Sequence, residues 1–517
     1  MRRFSRSRNW LVVTTLVAGL FGRLKSSLRN RDLLRLLILA LLIGLAACSR
    51  PVDVDPLTTT AAAPLAPAVS SEFVSPSPDP TLAAPRPSTE PYVVHSGDTL
   101  SGIAYEYGTT VETIARINGI EDMITIDVGQ VLTVPVDALT ATSPATKIAP
   151  DSEVVYGPGS VGFDVEDFVS RTNGYLRSYT EEVEGKVLTG AQIVQLVAER
   201  YSVGPRILLA LLEYRGGWLS NPYPDAAALY YPAGHADERW SGLHKQLMWA
   251  ADHLNDGYYG WKTRGRQTMP LSDFTRVRIA PGLNAGTLAL QTLLAIDSTP
   301  DEWQVDAGPG GFVATYRAWF GDPFARAVEP LVPPTVSQPP LSLPWPVGET
   351  WYLTGGPHGA WASGSAWGAL DFVPPDGGVG CYSSEGWVTS MSDGRVVRSR
   401  MGEVIVDLDG DGHEQTGWAI LYMHVEERDR VSEGAQLHAG DRIGHPSCEG
   451  GFSTATHVHI ARRYNGEWIA ADGALPFVIG GWTTLGTERE YGGSLQKDGA
   501  SREACECRDD VRNGVAH

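Results

Sequence analysis

The sharpest chemical feature of this 517-residue chain is the pair His457-Val458-His459. In an extended strand, residues two apart face the same side, so both imidazoles can converge on one ion. His358 sits in Gly355-Gly356-Pro357-His358-Gly359 and Asp371 in Leu370-Asp371-Phe372, while His424 follows the run Ile420-Leu421-Tyr422-Met423. Two histidines and a carboxylate with an open fourth position form a catalytic zinc pattern, whereas a closed structural site more often uses cysteine. The chemistry open to such a set is hydrolysis, with a metal-acidified water as nucleophile and an imidazole to take its proton.

The elements that must carry these residues are short. Region 347–482 is rich in Gly and Trp, with β runs at 396–398, 404–408 and 419–422 and with Asp393-Gly394 and Asp411-Gly412 where hairpin turns belong. This predicts a compact antiparallel β-sheet domain. The ordered set of motifs resembles the M23 (LytM-type) zinc endopeptidases, and its beta-lytic branch in particular. Most of that family has His-x-x-x-Asp. Here Trp367 stands at that position and His358 lies thirteen residues before Asp371, a spacing that the branch tolerates. The segments 431–434 and 437–444 match the family's downstream turns. The resemblance implies that His358, Asp371 and His459 hold one Zn2+ per chain and that His424 and His457 stand beside the attacking water. It implies as substrate a peptide amide in the stems or cross-bridges of peptidoglycan.

Residues 91–136 form a separate unit. A β run at 92–94 meets a turn at Gly97-Asp98, Thr99 can cap a helix over 100–107, and Thr110 starts a second helix. A closing strand follows at 128–135. This unit resembles a LysM module, a small α+β (βααβ) fold that binds N-acetylglucosamine-containing glycans. The resemblance places glycan binding at Gly97, Asp98, Thr99 and about 124–127, with peptidoglycan as the partner.

Three Pro-rich or loosely composed stretches separate the units. Residues 49–90 hold nine prolines and read as a semi-extended spacer, 136–160 as a less biased linker, and 329–346 as a linker with seven prolines. Before them, residues 1–48 carry nine basic residues against the single acid Asp32, then an apolar stretch at 36–47. Leu45-Ala46-Ala47-Cys48 resembles a lipoprotein lipobox, which implies lipidation of Cys48 and a membrane-anchored body in the extracytoplasmic cell envelope. The net charge of −19 argues against nucleic acid as a partner.

Region 161–328 has helical periodicity at 191–200, 207–212, 243–254, 288–296 and 312–320, so a mainly helical middle domain of unassigned role is expected. Its segment 209–218, Leu-Ala-Leu-Leu-Glu-Tyr-Arg-Gly-Gly-Trp, resembles the catalytic helix end of lysozyme-like lytic transglycosylases, with Glu213 as the acid. Tyr214 departs from the Ser usual there. Cys381 and Cys448 fall in one domain and are expected to pair, whereas Cys505 and Cys507 are too close for an easy bridge. His413, His438 and His445 are expected in solvent. Asp407, Asp409 and Asp411 resemble the start of a calcium loop, but Trp418 stands at its twelfth position and an acidic hairpin turn is expected. Residues 483–517 read as a tail. The fold class is thus multidomain, with two functions to weigh: a wall-directed zinc endopeptidase, or a non-hydrolytic wall-binding scaffold that activates another hydrolase.

Overall fold

The computed structural model describes residues 88–517 except Ser96, Thr140 and Phe274. The basic and apolar N-terminal segment, Cys48 and the spacer up to residue 87 lie outside the described residues. Among these residues, no helix is long and apolar enough to cross a membrane.

The first unit pairs β1 (Thr89–Val93) antiparallel with β2 (Val131–Pro135) around α1 (Leu100–Glu106) and α2 (Val111–Asn118). Each helix starts where a threonine hydroxyl can accept from the first turn: Thr99 from Gly102 N and Thr110 from Thr113 N. Gly119, at φ 63°, ends α2 in the left-handed conformation that glycine adopts freely. Leu100, Ile103, Ile114, Leu132 and Val134 close the core. Residues 89 and 90, assigned above to the spacer, belong to β1, because the buried Glu90 carboxylate anchors this strand.

The middle region holds the hairpin β3 (Thr180–Val183) and β4 (Lys186–Thr189), then α3 (Gly190–Tyr201), α4 (Pro205–Gly216) and α5 (Leu243–Lys262). The short hairpin β5 (Thr268–Pro270) and β6 (Arg276–Arg278) precedes α6 (Ala285–Ile296) and α7 (Phe312–Phe320). A capping box at Thr189 and Gln192 starts α3, and Pro205 opens α4 where its missing N–H costs nothing. Every residue of α4 from Pro205 to Leu212 and nearly every residue of α6 is buried, the pattern of helices enclosed on all sides.

The linker expected at 136–160 is instead packed against this region. Ile148, Val154 and Val155 enter its core, and buried Glu153 pairs with Arg206 at 2.7 Å. The Pro-rich stretch before residue 347 is likewise docked: Leu341, Leu343 and Trp345 join the sheet domain's core, with Trp345 stacked on Trp351.

The third region begins with β7 (Thr350–Gly359), β8 (Trp367–Val373), β9 (Val388–Thr389), β10 (Gly394–Arg400) and β11 (Glu403–Asp407). It continues with β12 (Trp418–Met423), β13 (Gln436–Leu437), β14 (Arg442–Gly444), β15 (Val458–Tyr464) and β16 (Glu467–Trp468). The main sheet runs β13-β10-β11-β12-β15-β8-β7-β21, with β16 beside β15, and every pairing is antiparallel. The expected tail is structured. Strands β17 (Val478–Ile479), β18 (Trp482–Gly486), β19 (Gly493–Lys497) and β20 (Ala500–Glu503) form a four-stranded sheet, and β21 (Gly514–Ala516) pairs with β7. Asp411-Gly412 lies in the β11–β12 connection. Asp393-Gly394 is not a hairpin turn: it is a corner where the chain leaves β9 for β10, which belongs to another sheet.

The main sheet is buried on both faces. Val404, Val406, Ile420, Tyr422, Val458 and Ile460 face the domain's own core. Ile405, Ala419, Leu421, Met423 and Ala461 face the middle region and share its core. Double burial accounts for the unbroken apolar runs in β11 and β12, where a half-exposed sheet would alternate. Charges line the same seam: Arg200 Nε lies 2.5 Å from Glu403, and Arg398 lies 3.0 Å from both Glu403 and Glu414.

Candidate metal centre and its cleft

The main sheet's central strands build the site. Register places His459 of β15 directly opposite Asp371 of β8, and β7 carries His358 beside Ala369. His358 Nδ1 donates to the Gly356 carbonyl (2.8 Å), which leaves Nε2 as its lone-pair atom. His459 Nε2 donates to the Ala360 carbonyl (3.1 Å), which leaves Nδ1. These two lone-pair atoms are 3.1 Å apart, and Asp371 Oδ1 lies 3.3 Å from the first and 3.1 Å from the second. Ligands at ~2.0–2.1 Å around a tetrahedral ion sit ~3.3–3.4 Å from one another. The triangle therefore has the size of one face of such a tetrahedron. Its far nitrogens are held by backbone carbonyls, as metal-ligating imidazoles require. The residues fit a zinc-sized cation.

His424 and His457 flank the triangle, their rings 4.4 Å apart. His457 Nδ1 is bonded to the Ala455 carbonyl (2.8 Å), and Nε2 points at Asp371 Oδ1, 3.6 Å away. His424 sits just past β12 at φ 64°, and its Nδ1 is bonded to the Glu449 carbonyl (3.0 Å). That left-handed backbone turns the ring from the strand into the cleft. Burial pushes His424 down to about 3, with the charges of His457 and His459 adding to the effect, so its imidazole is neutral and can accept a proton. Burial alone would raise the Asp371 carboxyl, but the electrostatic influence of the surrounding imidazoles of His358, His457 and His459 holds it well below the usual range.

The cleft above the triad has a volume of about 1080 Å³. Sequence reasoning missed the lining residues that lie in the stretch read as a tail: Glu490, Tyr491, Glu506, Cys507 and Arg508. Tyr491 stacks on the His358 ring (centroids 4.2 Å, planes 17° apart), and Glu490 accepts from Gly359 N (3.1 Å). Both sit in the β18–β19 loop, whose only sequence signal is its glycines. The middle region supplies another wall through Glu184, Arg200 and His244.

Other expected residues fall elsewhere. Glu213 accepts from Leu219 N, Ser220 N and the Ser220 hydroxyl, so its carboxylate holds the turn after α4. Asp98 accepts from Tyr92 OH and His95 N, and Thr99 caps α1, so these side chains shape the LysM loop, while Gly97 takes φ 97° there. The Asp407, Asp409 and Asp411 carboxylates accept from backbone N–H groups of their own turn. His445 is buried, contrary to expectation, bonded to the Gly386 carbonyl and packed on Trp387. Cys381 is bridged to Cys448. Cys505 and Cys507 are bridged too, against the expectation from their spacing. A tight turn with Cys507 N donating to the Cys505 carbonyl brings their Cα atoms to 5.2 Å, within the disulfide range.

Comparison with known proteins follows this geometry. A family model of the LysM domain matches residues 92–135, and a model of the LasA N-terminal domain matches residues 147–333. Protease LasA of Pseudomonas aeruginosa is 28% identical over 344 residues, covering 63% of this chain and 75% of its own length. The beta-lytic metalloendopeptidase of Achromobacter lyticus is 26% identical over 161 residues, covering 29% and 39%. The chain is a LysM-bearing relative of the LasA and beta-lytic metallopeptidases. The M23 metalloprotease pseudoalterin, a solved structure, is 24% identical with a TM-score of 0.28, covering 35% of this chain and 99% of its own. The LysM similarity extends to a Bacillus subtilis N-acetylmuramoyl-L-alanine amidase, XlyB, 43% identical over 68 residues and covering 13% of this chain and 22% of the amidase. The similarity to LasA and the beta-lytic enzyme makes the chain a metallopeptidase that carries a LysM domain, and the LasA-type match gives a family context to the middle region.

Proposed function

We propose that the chain is a zinc endopeptidase that cuts peptide amides of peptidoglycan while its LysM module holds the glycan. The observation that carries this reading is the triangle of His358 Nε2, His459 Nδ1 and Asp371 Oδ1, with its outward nitrogens tied to carbonyls. Bound zinc supplies Lewis acidity toward a carbonyl oxygen and a nucleophilic water at neutral pH. The chain's residues do the rest. Neutral His424, through Nε2, accepts the proton of the attacking water and returns it to the departing amide nitrogen. In its protonated form, with Nδ1–H held by the Ala455 carbonyl, His457 donates from Nε2 to the oxyanion as the carbonyl becomes tetrahedral. His358 Nε2, Asp371 Oδ1 and His459 Nδ1 would hold the ion. The disulfides suit an oxidising compartment, in keeping with an extracytoplasmic enzyme anchored through a lipid on Cys48.

Digestion of purified peptidoglycan by the full chain, followed by mass spectrometry, tests this. New amino termini at peptide bonds are expected, and their position names the bond. Intact peptides alongside wall binding would contradict the reading and leave a scaffold.

A further inference from the structure

The LysM unit does not hang from a flexible tether. Glu90, 2% exposed, accepts from Tyr107 OH, Thr268 OH and Gln267 N, and so ties β1 to the β5–β6 hairpin. Arg276 of that hairpin reaches back to Glu106 at 2.8 Å and lies over the Tyr107 ring at 4.2 Å. A buried carboxylate held by several donors fixes one orientation of the two bodies.

So fixed, the module touches the loop that lines the metal cleft. Gln130 and Arg489 run antiparallel as an isolated bridge, and Asp127 and Arg489 form an ion pair at 3.8 Å. A Cβ placed on Gly129 would meet Glu490 Cβ at 3.6 Å. The next residues of that loop grip the ligand strand. Glu490 accepts from Gly359 N, Tyr491 N donates to the Pro357 carbonyl, Gly356 N donates to the Tyr491 carbonyl, and the Tyr491 ring covers His358. Exposed apolar residues stand on both sides of the seam: Ile124 (94%) and Val128 (62%) on LysM, Tyr491 (54%) and Leu485 (42%) beyond it. Such residues offer faces to the C–H side of sugars and to alanine methyls.

Resting on the peptidase reading above, we infer that the LysM groove and the metal cleft form one composite site whose substrate is a peptide still joined to its glycan strand. Loop 487–492 is the seam, and Arg489 is a positioning residue that sets the spacing between glycan and scissile bond. A rigid pair of sites rewards only ligands that span it, whereas a tether rewards any ligand within reach.

The test uses the full chain and two soluble substrates with the same cross-linked peptides: one stripped of sugar, one on a tetrasaccharide of alternating N-acetylglucosamine and N-acetylmuramic acid. The wild type is expected to favour the glycan-linked form by about a hundredfold in kcat/KM, carried by KM. R489E, which sets like charges at the seam, should reduce that preference to about threefold, and R489K should keep it. A preference unchanged in R489E, or absent from the wild type, would overturn the composite site. Calorimetry on metal-stripped protein gives a readout free of catalysis. The glycan-linked peptide should bind more tightly than the bare tetrasaccharide in the wild type and equally in R489E; equal affinities in the wild type would also overturn it. If that affinity difference is present but neither substrate is cut with zinc restored, the peptidase reading fails and the composite site stands.

Discussion

Replacement of Arg398 by Met should unlock the seam between the sheet and the middle region. Its guanidinium, 4% exposed, lies 3.0 Å from Glu403, 3.0 Å from Glu414 and 3.9 Å from Glu199. Arg200, Arg400 and Arg463 then face four carboxylates, Glu184, Glu199, Glu403 and Glu414, so one negative charge is left over. Removing one member of a buried pair costs about 3–5 kcal/mol, because the stranded charge stays desolvated. A unit charge pair at 4 Å and an effective dielectric of 20 is worth about 4 kcal/mol, which agrees. The stranded charge also fixes the pH dependence. Burial already raises Glu199, with Arg398 the chief opposing influence, so Arg398→Met raises it further. A carboxyl whose folded pKa exceeds its unfolded value contributes stability below the unfolded value and loses it as pH rises through the folded value. The variant's deficit should therefore be full near pH 8 and shrink toward pH 5, by at most about 1.4 kcal/mol per pH unit. Urea unfolding followed by tryptophan fluorescence reads this, since Trp218 and Trp303 report the middle region, Trp345 and Trp351 the sheet, and Trp468 the seam. A second change, Glu414→Gln, should return at least about half of the loss by removing the surplus charge. A deficit under about 1 kcal/mol, or one that grows on acidification, would refute the account of this network.

Three further outcomes follow from the same geometry. His424→Ala should lower kcat by about 10²–10⁴-fold while one zinc per chain is retained, measured by steady-state kinetics and elemental analysis; loss of the metal would show that His424 is a ligand. Glu213→Gln should leave cleavage unchanged and lower thermal stability by about 1–2 kcal/mol, because a charge-assisted turn bond becomes a neutral one; lost glycan-strand cleavage would restore its reading as a glycosidase acid. Cys381→Ser with Cys448→Ser opens a loop whose ends are 67 residues apart, which costs about 4 kcal/mol in chain entropy; calorimetry of the double variant checks it.

The arrangement of the candidate metal centre was legible because strand geometry is legible. A spacing of two puts His457 and His459 on one side, and a single register places Asp371 across from His459. The LysM unit was legible through its caps, Thr99 and Thr110, and its glycine turns. The merging of the middle region with the sheet was not, since proline-rich stretches imitate free linkers whether or not they dock. The signal was present in β11 and β12, whose apolar runs do not alternate and so demand a covered second face. Tyr491 and Glu490 carried no signal, for a lone tyrosine among glycines acquires its role only when the β18–β19 loop folds over β7. The spacing of Cys505 and Cys507 misled, because a single intervening residue closes a turn tight enough for a bridge.

The most direct test of the central claim is a titration. Metal-stripped full-length chain is supplied with increasing zinc, while new peptide amino termini are counted on purified peptidoglycan. The account predicts activity that rises linearly and saturates at one zinc per chain, and none at any zinc level in His459→Ala. Cleavage that survives metal removal, or full activity in His459→Ala, would contradict it.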